Sequence, residues 1–200
     1  MAPTVPRAVP PVLPLVPMPR TAPGEEGWAS WYEGVLGWPV AGGTPLRLLT
    51  GVRYDVLAVP SDAGAELLRG PVATGPVALV GGRALFLVAP GAAEELEGLL
   101  DWLEWGGVDL DLAALGAGGR ITAPAPPGRA AAGRPRGAAV WLRPPEPGCG
   151  AELPALPGPG RVAGPDLVRL VAAAATQCHR ARLRRRTPVR SASGQPLAFS

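Results

Sequence analysis

Proline and glycine hold more than a quarter of this chain's 200 positions, 27 and 28 of them respectively. Proline fixes φ and has no N–H to donate, and glycine leaves the backbone loose, so regular structure must fit between them. A chain punctuated this densely predicts loop-rich or disordered stretches around a folded part. The prolines crowd the start: residues 1–24 contain eight, and no acid. Such a stretch favours extended, solvated backbone and is read as a disordered arm. Apolar residues make up 47% of the chain, enough for a folded part to have a core of its own. A domain of about 150 residues is long enough to bury one.

All 19 basic residues are arginine, with no lysine or asparagine and a single isoleucine, the mark of GC-rich coding. The net charge of +3 conceals two opposed blocks. Residues 25–111 hold thirteen acids against four arginines, and residues 112–200 hold thirteen arginines against three acids. A basic chain suggests nucleic acid, yet here the basic charge sits outside the candidate core. Cys149 and Cys178 belong to no metal-ligand spacing, so they are expected to be ordinary thiols. The apolar stretch Val9–Met18 is broken by Pro10, Pro11, Pro14 and Pro17, unlike a signal peptide. No segment has the length and apolarity of a membrane span. The expectation is a soluble, cytoplasmic protein with no membrane partner.

Structure is expected to begin near Glu25, with Trp28, Trp31, Tyr32 and Val35 at helical spacing and Gly37 as the stop. Trp38–Ala41 suggests a short strand. Residues 52–59 read as a buried strand that Pro60 and Ser61 end, Ser61 then capping a helix to Arg69. Val77–Val80 and Ala84–Ala89 flank Gly81-Gly82-Arg83 as a hairpin with a glycine turn. Residues 92–105 form an amphipathic helix with Leu96, Leu99, Leu100 and Leu103 on one face. Val108–Leu112, Arg120–Ala123 and Ala138–Leu142 follow as strands. Residues 143–164 read as an irregular Pro/Gly loop. Pro165 then opens a helix with Asp166 in its first turn and Leu167, Leu170, Val171, Ala174 and Cys178 as its stripe. That helix is expected to reach Arg186, before a disordered tail at 187–200. The fold class is α+β, a mixed β-sheet with flanking helices, with the domain spanning 25–142 and the helix 165–186 following.

Several blocks stand in a recognisable order. Gly37-Trp38-Pro39-Val40 follows the first helix. Tyr54-Asp55 opens a strand that ends in Pro60 and a helix carrying Gly64. Gly81-Gly82-Arg83-Ala84-Leu85-Phe86 is a glycine turn feeding a strand. Gly107-Val-Asp-Leu-Asp-Leu112 leads through Gly118-Gly119 to Ala123 and Pro124-Ala-Pro-Pro-Gly128. Over roughly residues 28–128 the chain resembles the N-terminal domain of bifunctional DNA primase/polymerases. The resemblance implies a primase/polymerase-like fold and, for an active member, carboxylates holding Mg²⁺ or Mn²⁺ for nucleotide transfer. It also marks departures. The paired acids of the first motif fall at Ala58 and Pro60, and the nucleotide-binding histidine falls near Ala84. The chain's one histidine is His179.

The catalytic candidates are therefore Asp109, Asp111 and Asp55, with Asp109 and Asp111 as metal ligands two residues apart on one strand face. Asp62 joins them if ligands have shifted. Gly81, Gly82 and Arg83 are candidates for a phosphate of a bound nucleotide, beside the plainer reading of a hairpin turn. Arg180, Arg182, Arg184, Arg185 and Arg186 could bind single-stranded DNA. They could equally neutralise the acidic core, in cis or in a protein partner. Trp102 and Trp105 read as core or interface anchors, and His179 as a solvated helix residue. Three functions compete: a degenerate primase/polymerase-like module that binds nucleic acid or protein, an active metal-dependent primase/polymerase, and an adaptor working through its two tails.

Overall fold

In the computed structural model, residues 27–128, 137–158 and 164–186 are described. The expected arm at 1–24 and tail at 187–200 lie outside them. The element order is α1 (Trp28–Gly34), β1 (Val40–Ala41), β2 (Arg47–Leu49), β3 (Asp55–Pro60), α2 (Ser61–Arg69), β4 (Val77–Val80), β5 (Arg83–Val88), α3 (Ala92–Trp102), β6 (Ala113–Leu115), β7 (Arg120–Thr122), β8 (Val140–Arg143) and α4 (Leu167–Arg186). A short 3₁₀ turn spans Cys149–Glu152. This is an α+β fold. The single mixed sheet that was expected is instead two sheets, ordered β6-β3-β5-β4-β8 and β1-β2-β7, and every strand pair in them is antiparallel.

The larger sheet is covered on both faces, which explains why β3 and β5 read as apolar runs rather than alternating ones. Side chains still alternate between faces with period two. Leu57, Val59, Ala84, Phe86 and Val88 face α2, α3 and α4 in one core. Val56, Ala58, Leu85 and Leu87 face α1 and the smaller sheet in a second core with Trp28, Tyr32, Trp38 and Tyr54. The Tyr32 hydroxyl donates to the Pro124 carbonyl at 2.6 Å and accepts from the Trp141 indole N–H at 3.1 Å, tying α1 to the β7 end and β8.

The β4–β5 hairpin forms where the glycines were expected to turn the chain. Gly81 and Gly82 have φ of 54° and 81°, both in the left-handed region that a two-residue turn of this hand demands. Elsewhere boundaries moved. Strand β3 begins at Asp55 rather than residue 52. Ser61 is the first residue of α2 and makes no side-chain cap; Asp62 Oδ1 instead accepts the Ala63 N–H at 2.9 Å. Asp166 precedes α4 and caps it, its Oδ1 accepting the Val168 N–H at 2.8 Å. Strand β2 carries no local signal, since three residues between Pro45 and Gly51 show no periodicity; it exists through its pairing with β7. No helix among the described residues is long and apolar enough to cross a membrane.

Candidate functional site

The last turns of α4 reach the end of the larger sheet where β3 stops, β5 starts and β6 approaches. Helix α4 is held there by Leu167, Leu170, Val171, Ala174, Ala175, Cys178 and Ala181, all buried against the helix-side core. That stripe, legible in the sequence, aims Arg182 and Arg185 at the acids. Arg185 Nη2 lies 2.5 Å from Asp62 Oδ1, in the first turn of α2, and Arg185 Nη1 lies 3.6 Å from Asp111 Oδ2. Arg83 Nη1 takes the other Asp111 oxygen at 2.7 Å, while its Nη2 donates to the carbonyls of Ala58 at 2.9 Å and Asp111 at 3.0 Å. Arg182 Nη1 pairs with Asp109 Oδ2 at 3.0 Å and donates to the Asp109 carbonyl. Arg83, Asp111, Arg185 and Asp62 thus form one continuous chain of alternating charge, with Arg182–Asp109 alongside. The pairs are partly to largely exposed, Asp109 being 82% exposed, so each contributes at most about 1 kcal/mol, but together they engage Asp62, Asp109 and Asp111 at this end of the sheet.

Asp109 and Asp111 do not share a strand face, as their spacing had suggested. They lie in the loop before β6, which begins only at Ala113. Asp111 has φ 53°, a left-handed conformation that aspartate tolerates better than most side chains and that ends any extended run. Asp55 is elsewhere. It pairs with Val88 at the opposite end of β3 from Pro60, which pairs with Arg83. Five residue steps along the strand separate the two ends, about 16 Å. Asp55 is 1% exposed, and its Oδ2 accepts the Ala93 N–H at 2.9 Å, serving the N-terminal end of α3. Asp55 therefore does not converge with Asp62, Asp109 and Asp111.

A hard divalent ion needs several free oxygen ligands around one point. Among the described residues no group of three or more His, Cys, Asp or Glu could hold a metal ion. Asp111 is flanked by two guanidinium groups, and Asp62 and Asp109 by one each. The described residues at this end of the sheet do not fit Mg²⁺ or Mn²⁺.

The Gly81-Gly82-Arg83 segment is a hairpin turn whose Gly82 carbonyl accepts the Ser61 N–H at 3.0 Å. Its arginine is turned to Asp111 and the β3 terminus. The two halves of the arginine run also separate. Arg182 and Arg185 face the acids. Arg180, Arg184 and Arg186 are exposed and make no ion pair among the described residues. His179 is only partly exposed to solvent: its ring lies 5.5 Å from that of Trp105, and its Nδ1 is buried without a hydrogen-bond partner. Gly64 of α2 approaches β5 so closely that a Cβ there would sit 2.3 Å from the Ala84 Cβ. The position expected for a histidine is thus roofed by a helix. A separate cleft of about 410 Å³ lies among Trp38, Val52, Arg53, Glu146 and Cys149; Arg53 Nε donates to the Gly37 carbonyl at 3.1 Å there.

Cys178 sits under the charge cluster as a free, buried thiol. Burial pushes it from an ordinary value of 9.0 up to about 12, the Asp111 carboxylate adding to the effect. Burial likewise raises the Tyr32 and Tyr54 phenols. For each group the folded state holds the proton more tightly than the unfolded state. Their contribution to stability is therefore intact below the unfolded values and is lost as pH rises beyond them. Under reducing conditions the urea midpoint is expected to hold up to about pH 8.5 and to fall steadily above it. A midpoint unchanged between about pH 9 and 11 contradicts this assignment.

Comparison of the chain with protein-family models, with curated proteins and with solved structures finds no match.

Proposed function

We propose that this chain is a catalytically silent, primase/polymerase-like domain that binds single-stranded nucleic acid through the outward arginines of α4. The observation that carries the reading is the arginine pairing of Asp62, Asp109 and Asp111. Asp62, Asp109 and Asp111 lie near the end of β3 that carries Ala58 and Pro60, the positions at which the resemblance would put acids, and each is paired with a guanidinium of the same chain. The order of the glycine-turn and strand blocks supports the primase/polymerase likeness. Ala58, Pro60 and Ala84 at the acid and histidine positions support the loss of chemistry. The outward Arg180, Arg184 and Arg186 supply the positive charge that phosphates require.

Labelled single-stranded DNA in fluorescence anisotropy over a salt series tests the binding. Replacing Arg180, Arg184 and Arg186 together with serine is expected to weaken binding by roughly tenfold or more and to lower the log–log salt slope by about 2. Primer extension with Mg²⁺ or Mn²⁺ is expected to give no product with the unaltered chain. Unchanged affinity in the triple variant sinks the interface, and an extension product sinks the loss of catalysis.

A further inference from the structure

Helix α3 carries on its outer face a feature that its own fold does not require. Trp102, in the last turn, is 72% exposed. One turn earlier on the same side stands Gly98. Glycine inside a helix costs about 1 kcal/mol relative to alanine, and close packing or a left-handed backbone is the usual reason to keep one. Neither applies: a Cβ at Gly98 would meet nothing within 4 Å, and its φ is not in the positive range. The glycine therefore leaves an open notch beside an exposed indole. Around it stand Glu94, Glu95, Glu97, Asp101 and Glu104, all exposed and all without an ion pair among the described residues. An apolar ring with a slot beside it, rimmed by acids, suits an extended proline-bearing strand with arginines. Proline rings pack flat on aromatic faces at little entropic cost, and arginines answer the carboxylates.

The chain itself contains a sequence of that chemistry. Residues 1–24 hold eight prolines, two arginines (Arg7 and Arg20) and no acid. We propose that the Trp102–Gly98 face of α3 is the docking site for residues 1–24 of the same molecule. Reach is ample. At about 3.1 Å per residue an extended segment of this length spans roughly 70 Å, against a radius of gyration of about 15 Å for a domain of this size. An arginine-rich helix from a second copy would answer the acids but would leave the notch beside the indole unfilled.

The test uses the full chain. Both native cysteines are buried, so Val12→Cys accepts a nitroxide label selectively, and the six indole N–H signals are resolved by ¹⁵N labelling, with Trp102→Phe assigning one of them. The expected result is a several-fold loss of the Trp102 indole signal with the other indoles much less affected. Reversal of Arg7 and Arg20 to glutamate is expected to restore the signal. So is Gly98→Leu, which fills the notch and favours the helix. An unbroadened Trp102 signal overturns the proposal. So does broadening that appears only when ¹⁵N-labelled and spin-labelled molecules are mixed, since the strand would then come from a second copy. Persistence of the broadening in Gly98→Leu removes the notch from the argument and overturns the site as stated.

Discussion

Ala84→His is expected to destabilise this protein strongly rather than to restore a nucleotide-binding group. Ala84 is fully buried in β5, on the face that packs beneath α2. Gly64 crosses it so closely that even a methyl on the helix would overlap. A histidine there must displace α2, at about 1–3 kcal/mol for overpacking, and must bury an imidazole with no partner, at about 1–3 kcal/mol more. The sum, about 4 kcal/mol, lowers the thermal midpoint by roughly 10 °C in a protein of this size. Ala84→Ser, nearly the same volume, controls for polarity and is expected to cost far less. A variant histidine protein that melts within a few degrees of the parent, or that gains nucleotide affinity, contradicts the packing argument and reopens a catalytic reading.

Asp55→Ala is expected to cost about 2 kcal/mol, because Asp55 is a structural acid. Its carboxylate holds the Ala93 N–H at the start of α3 from a position 1% exposed on β3. Truncation removes the acceptor, orphans a partly buried donor and opens a void between strand and helix. Asp55→Asn keeps an oxygen in place and is expected to lose less. Urea denaturation reads the difference, and Mn²⁺ titration read alongside it is expected not to change. A catalytic Asp55 would show the reverse pattern: a stable variant with altered metal affinity.

Much of the fold was legible because it is local. Gly81-Gly82 between two apolar runs specifies a hairpin, since only glycine adopts positive φ twice in succession without strain. The α4 stripe from Leu167 to Cys178 has a period that only a helix satisfies. Asp109 and Asp111 were misplaced for an equally local reason. An apolar–acid alternation looks like a strand wherever it stands, and nothing nearby in sequence reveals that β3 pairs with residues 113–115 instead. The smaller sheet was legible at β1 and β7 but not at β2, which is three residues long and is stabilised by a partner strand more than seventy positions away.

The amino-acid order alone determined which segments form helices and hairpins, where their apolar faces lie, and that an acidic block is followed by a basic one. Tertiary structure alone decided what those charges do. Asp62 and Arg185 are 123 residues apart in the chain and 2.5 Å apart in space. The α4 stripe, by burying itself against the sheet, turns two arginines of the run onto the acids and leaves three facing solvent. Periodicity reports which side of an element is buried, because burial acts on every turn. It does not report which charged residue that burial brings within reach of another, because an ion pair depends on a distance that only the packed whole defines.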